Sequence, residues 1–279
     1  MKPKVLKWFA VLVMAIAGSG VQAQDTAAEY TFGVVPQQAA SELARVWVPV
    51  LNYLEARTGY KLGFRTAPNI PEFERRLANG DYALAYMNPY HYTVFAKSPG
   101  YRAFARQKDK RIRGLLVVAA ESSINSLKDL EGTTIAFPAP AAFAASLLPR
   151  AHLRQQGIGF TPTYVSSHDS VYRAVALGLY PAGGGIERTL GNIDPDVRAR
   201  LRVLWRTPAF TPHAIAARGD VPQAVIDTLQ AAMIAMVDDP EGANLLDALG
   251  FKGIESAKDA DWDDVRALDI DALDSLVKP

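Results

Sequence analysis

Cysteine is absent from all 279 residues. That excludes disulfides, a thiolate nucleophile, cysteine-based metal sites and a lipid anchor on cysteine. A one-signed charge is missing too. With 30 basic and 29 acidic residues and no long run of either sign, no nucleic-acid surface is expected. Beyond residue 23 no segment has the apolar length of a membrane span, so no stable membrane insertion is expected. The chain has no Gly-x-Ser-x-Gly nucleophile elbow, no P-loop and no dinucleotide glycine fingerprint. Gly183, Gly184 and Gly185 lack the lysine order a phosphate loop needs. The histidines show no zinc-type spacing. His168 and Asp169 are adjacent, so at a helix start their side chains diverge and make no dyad. Neither catalysis nor a metal or cofactor is expected.

What is present starts with a basic head, Lys2, Lys4 and Lys7, followed by an apolar run from Trp8 to Ala17 and a small-x-small site, Val21-Gln22-Ala23. This pattern predicts a secretory signal peptide over residues 1–23, cleaved after Ala23. A soluble periplasmic protein without a lipid anchor follows.

The rest alternates strand and helix. Strands are predicted over Tyr30–Val34, Lys61–Thr66 and Tyr82–Tyr86, and helices over Ala39–Thr58 and Pro71–Asn79. In the first helix Leu43, Val46, Trp47, Val50, Leu51 and Leu54 fall at helical spacing, and Gly59 ends it. The stretch Met87–Phe95 reads as a turn and Gln107–Arg113 as a polar break. Gly114–Ala120 then leads as a strand into a second unit with strands at Thr133–Phe137 and Tyr164–Val165. Leu201–Trp205 returns the chain to the first unit, and Val221–Val237 and Asp239–Leu249 are helices packed on it. This pattern predicts an α/β protein of two lobes, residues 28–117 with 206–279 and residues 118–205, joined by two crossover strands. The cleft between them is the expected ligand site.

Within the second lobe, Thr163–Glu187 stands out. A strand passes its chain to a helix through Ser166, Ser167, His168 and Asp169, and free backbone N–H groups at such a corner attract an anion. Ser167 or Asp169 acting only as a helix cap is the plainer alternative.

The segments FGVVPQQ, WVPVLNYLEARTG, NGDYALAYMNPYHY, INSLKDLEGTTIAF, SSHDSVYRAVALG, LWRTPAFTPHAIAARGDVP and VDDPEGANLLDALGFKGI occur in that order. Together they resemble the phosphate/phosphite/phosphonate-type periplasmic solute-binding proteins of ABC transporters, over nearly all of the chain after residue 23. The resemblance implies the type II periplasmic-binding-protein fold. It also implies a monomeric protein that closes on a small ligand, an oxyanion or small polar organic molecule, and delivers it to an ABC permease. A sensor that presents its closed form to a membrane kinase or cyclase shares these features and stays open as the alternative.

By the same resemblance, Tyr86 matches a tyrosine aimed into the cleft, followed by Asn88, and His168 matches a histidine that hydrogen-bonds the ligand's oxyanion. Three departures stand out. Ala142, Phe143 and Ala144 occupy the place of a Ser-Thr-Ser run whose hydroxyls hold phosphorus oxygens, Pro181 that of an aspartate, and Ile70 that of a tyrosine. The candidate walls are Tyr86, Tyr90, Tyr92 and Phe143, and the candidate polar contacts Gln37, Gln38, Asn69, Asn88 and His168. Ser167 and Asp169 belong to the same corner. Tyr90 and Tyr92 read equally as packing residues, Gln37 and Gln38 as helix caps, and His91 and His213 as structural.

Overall fold

Residue spacing and capping explain most of the first unit. In the computed structural model, which describes residues 29–277, β1 (Glu29–Val34) leads into α1 (Ala40–Thr58). The signal peptide expected over residues 1–23 lies outside the described residues. Leu43, Trp47, Val50, Leu51, Tyr53 and Leu54 form the buried face of α1. Gly59 stops it in a left-handed turn, φ 75°, its N–H donating to Glu55 O at 2.8 Å. Then follow β2 (Lys61–Arg65), α2 (Ile70–Ala78), β3 (Leu84–Met87), α3 (Pro89–Phe95) and β4 (Arg102–Gln107). The stretch predicted as a turn after β3 is thus the helix α3. Asn88 caps it by accepting the N–H of His91 at 2.7 Å, and Pro89 stands at its first position, where a missing N–H costs nothing.

The second unit runs through β5 (Gly114–Ala119), β6 (Thr134–Phe137), a π turn at Phe143–Leu147, α4 (Leu148–Gln155), β7 (Thr161–Tyr164) and α5 (His168–Ala176). It ends with β8 (Ala182–Ile186), α6 (Glu187–Gly191), α7 (Pro195–Ala199) and β9 (Leu201–Arg206). The chain closes with β10 (Ala214–Ala217), α8 (Gln223–Ala235), α9 (Pro240–Leu249) and β11 (Ile254–Ser256) on the first unit, beside three short helical turns at Asp259–Trp262, Asp263–Arg266 and Asp274–Val277.

Two separate mixed sheets result. The six-stranded sheet has the order β11-β4-β10-β3-β1-β2, with β1 parallel to both β2 and β3. The five-stranded sheet has the order β7-β6-β8-β5-β9, with β6 parallel to β7 and β8. β5 pairs antiparallel with both β8 and β9, so a border at residues 117/118 cuts through a strand. The chain changes sheet between Gln107 and Gly114 and again between Arg206 and Ala214. There the two crossing segments pair with each other: Ile112 N–H donates to Phe210 O at 2.8 Å, and Phe210 N–H to Ile112 O at 2.9 Å.

Gly183, Gly184 and Gly185 lie inside β8. Side chains are excluded there by close packing. A Cβ at Gly183 would meet Val171 of α5 at 2.4 Å, and one at Gly185 would meet the Tyr172 hydroxyl at 2.1 Å.

Candidate functional site

Six strand-to-helix corners, three from each lobe, and the crossing segments converge between the sheets. From the first lobe come Val35 and Gln37 after β1, Ile70 opening α2, and Asn88 and Pro89 at the start of α3. From the second come Ala142–Ala145 at the π turn, His168 opening α5, and Ile186 ending β8. Ile112 and His213 come from the crossings. These residues enclose a narrow neck of about 10 Å³. A chamber of about 230 Å³ adjoins it and shares Ile112, Ile186 and His213 as walls.

The His168 ring brings a buried polar atom without a partner into the neck. It is 1% exposed, and its Nε2 has no partner in the protein. Its Nδ1 lies 3.2 Å from Thr189 Oγ1, which is 2.8 Å from the Tyr172 hydroxyl and 3.2 Å from Ile186 O. Tyr172 in turn accepts the N–H of Ile186 at 3.0 Å. Burial, and then the positive charge of Arg188, push the His168 pKa down to about 3, so the ring is neutral.

His213 is neutral for the same reasons. Burial first, then Arg188, His91 and His168, hold it well below the usual histidine range. Its tautomer follows from geometry. Gln37 Oε1 accepts from Arg188, which leaves the Gln37 amide nitrogen to donate to His213 Nε2 at 3.0 Å. The ring proton therefore sits on Nδ1. His213 stacks on Tyr86 with centroids 4.9 Å apart and planes 15° from parallel. Burial raises the Tyr86 pKa against the opposing effect of Arg188.

Two polar contacts bridge the lobes here. One is Arg188 to Gln37; the other is Asn88 Nδ2 to Ala141 O at 3.3 Å. Phe143 is fully enclosed and meets the crossing residue Phe210 edge-on, at 5.6 Å and 84°. Ala141–Ala145 share one buried apolar cluster with the six-stranded sheet. The wall where the resembling family carries hydroxyls is therefore apolar and tightly packed.

Of the residues named from sequence, the neck brings together Gln37, Asn88, Ala142, Phe143, Ala144 and His168. Tyr86 lines the adjoining chamber. The others go elsewhere. Asn69 caps α2 by accepting the Glu72 N–H at 2.9 Å, and Ser167 caps α5 by accepting the Ser170 N–H at 3.0 Å. Gln38 and Asp169 line a surface depression with Glu42 and Arg45. Tyr90 turns to the C-terminal segment, its hydroxyl donating to Ile270 O at 3.2 Å and accepting Leu273 N–H at 3.1 Å. Tyr92 donates to Asp259 at 2.7 Å inside the first lobe. Pro181 is exposed at the start of β8, and only the far end of that strand reaches the cleft. Its lack of a carboxylate therefore says nothing about the site.

Arg188, Ile112, Ile186 and His213 line the cleft and Thr189 backs His168, yet of these the sequence singles out only His213, and that as structural. His213 has no local motif, and Arg188 meets Gln37 across 151 positions of chain. Among the described residues no group of three or more histidine, aspartate or glutamate side chains is placed to hold a metal.

A family model described as "ABC transporter, phosphonate, periplasmic substrate-binding protein" matches residues 32–262. The phosphate-import protein PhnD of Mycolicibacterium smegmatis is 25% identical over 92% of this chain and 91% of its own length. A binding-protein component of an ABC phosphonate transporter from Pseudomonas aeruginosa superposes with a TM-score of 0.80 at 17% identity, covering 86% of this chain and 85% of its own. PhnD1 of Prochlorococcus marinus, solved with methylphosphonate, superposes with a TM-score of 0.79 at 18% identity, covering 90% and 99%. At such identities these structures establish the likeness of fold, that of type II periplasmic binding proteins.

Proposed function

The chain belongs to the phosphonate-type periplasmic substrate-binding proteins of ABC transporters, and from that premise we propose that its ligand is an acidic organic molecule larger than phosphite or methylphosphonate. The family is a transport component and not an enzyme; no observation favours the sensing alternative. The protein acts outside the cytoplasm, and no helix among the described residues is long and apolar enough to cross a membrane. Cleavage after Ala23, a monomeric state and closure about residues 108–113 and 207–213 complete this reading.

The observation that carries it is the unpartnered, buried Nε2 of His168 in the neck. A buried polar atom without a partner costs about 1–3 kcal/mol, and a ligand oxygen recovers that cost. Two features suit an anionic oxygen beside Nε2. With the Tyr172 hydroxyl donating to Ile186 O at 3.1 Å, a Thr189 hydroxyl turned from that carbonyl, 3.2 Å away, to Nδ1 leaves the ring proton on Nε2. The helix-start N–H groups of α5 and of the turn at Phe143 add positive potential there.

The case against the smallest ligands is Ala142-Phe143-Ala144. Hydrogen bonds to a charged group contribute roughly 1.5–3 kcal/mol each, and the wall supplies no side-chain donor at these positions. Calorimetry of the exported protein with phosphate, phosphite and methylphosphonate tests this, and sub-micromolar binding of any of them overturns it. A thermal-shift screen of larger acids tests the positive half. A ligand at about a hundred times its Kd stabilises by roughly 2.7 kcal/mol. Tyr86→Ala and His168→Ala should each weaken the ligand so found by about tenfold or more, roughly 1.4 kcal/mol. Normal binding by both variants would place the site elsewhere.

A further inference from the structure

We infer that the ligand carries two acidic groups, one held in the neck at His168 and the second in the adjoining chamber by the guanidinium of Arg188. This rests on the cleft reading above and adds the ligand's chemical class. The chamber is contiguous with the neck, which has room for about one oxygen atom, so a molecule lying in the chamber can set one acidic oxygen against His168. Four cationic side chains line it, Lys110, Arg111, Arg113 and Arg188, against one carboxylate, Glu187.

The existing ion pairs sort these charges. Glu187 is already bound by Arg206 at 2.7 Å, and Arg111 is already bound to Asp264 at 2.8 Å. Arg113 donates only to the Thr207 carbonyl, at 3.2 Å. Among the described residues, Lys110, Arg113 and Arg188 form no ion pair. Of the three, Arg188 is the one held half-buried at the lobe boundary, while Lys110 and Arg113 are exposed at the rim.

Arg188 makes its contact to a neutral amide oxygen, that of Gln37 on the opposite lobe. A carboxylate or phosphoryl oxygen in that place adds an opposite charge and two parallel acceptor oxygens, the arrangement a guanidinium binds most strongly. The outer side of Arg188 faces the depression that holds Asp169 and Glu42, yet neither carboxylate pairs with it. Both neighbouring histidines are neutral and offer no competing cation. The chamber's uncharged walls, Tyr86, Ile112, Ile186 and Pro212, suit a short carbon spacer between the two acidic heads.

The test uses matched probes on the exported protein: phosphonoacetate, succinate and glutarate, each against its monoamide. The pairs share a skeleton and differ by one charge. At least one acid should bind about tenfold or more tightly than its amide, about 1.4 kcal/mol. Arg188→Gln should bring that acid down to the amide's affinity, and Arg188→Lys, which keeps the charge, should retain part of the difference. Circular dichroism and unfolding midpoints check that both variants fold. His168→Ala should weaken acid and amide together. If no acid in the panel outbinds its amide, or if the preference survives in Arg188→Gln, the second head is not at Arg188 and the inference is overturned. Should His168→Ala also leave binding intact, the cleft reading fails with it; loss in His168→Ala alone leaves that reading standing.

Discussion

The carbonyl oxygen of Ala145 lies directly over Gly184, so close that a methyl group at position 184 would meet it at 1.9 Å. Gly114 on the neighbouring strand β5 stands in the same relation to the carbonyl of Ala144, at 1.8 Å. The obstacles are backbone atoms, and no side chain can swing away. The two glycines let the Ala142–Ala145 wall settle onto the sheet and so set its position in the cleft. Gly184→Ala should therefore lift that wall and destabilise the protein by about 2 kcal/mol or more, as overpacking does. For a protein of this size that is roughly a 4–8 °C fall in Tm. An unchanged Tm would show that the wall does not rest on β8.

Restoring hydroxyls to the wall should restore small-anion binding. In Ala142→Ser/Phe143→Thr/Ala144→Ser, two or three new donors face the neck, and the space Phe143 fills is opened. Affinity for methylphosphonate should rise by about tenfold or more, since each such bond contributes roughly 1.5–3 kcal/mol. Loss of the buried ring should lower stability by about 3–5 kcal/mol, the cost typical of removing a core phenylalanine. Calorimetry and chemical unfolding separate the two effects. No gain in affinity would mean that this wall is not where oxyanions sit.

Stability should fall as pH drops below about 6.5, where unfolded histidines take up protons. His168 is held near a pKa of about 3 in the fold, by burial and then by Arg188. Between the two values the unfolded chain binds the extra proton. The contribution is complete above about 6.5 and is lost as pH falls toward the folded pKa, by about 1.4 kcal/mol per pH unit. His213 acts in the same direction. Urea unfolding between pH 7.5 and 4.5 should show a shallower slope for His168→Gln than for the wild type. Parallel slopes would mean that His168 is charged in the fold.

Thr189 is a positioning residue for His168. Thr189→Val keeps the volume and removes the hydroxyl 3.2 Å from His168 Nδ1. The ring proton is then free to reside on either nitrogen, so ligand affinity should fall by about twofold, the share of the competent tautomer that is lost. A purely structural role predicts a lower Tm with unchanged affinity. Nitrogen-15 spectra of the histidine rings report the tautomer directly.

Features that depend on near neighbours were legible from sequence. The buried stripe of α1 follows from 3.6-residue spacing, its end at Gly59 from a glycine's tolerance of positive φ, and the place of His168 from a strand meeting a helix. The predicted helix after β1 and the two-lobe alternation rest on the same short-range rules, and Gln37 and Asn88 lie in the neck because the ends of β1 and β3 do.

Other assignments needed the packed chain. Asn69, Ser167 and Tyr90 carry polar groups that look available in sequence but are taken up by caps and by the C-terminal segment. The sequence offers no reason for the three glycines of β8, which the packing of Val171, Ala145 and Tyr172 against them supplies. Arg188 and His213 join the site only because β8 and the second crossing end at the same cleft, beside Gln37. Periodicity and capping act over a few residues, so the sequence by itself determined the elements and the corners that open the site. Which side chains meet across it depends on sheet order and on contacts more than a hundred residues apart, and only the tertiary structure decided that.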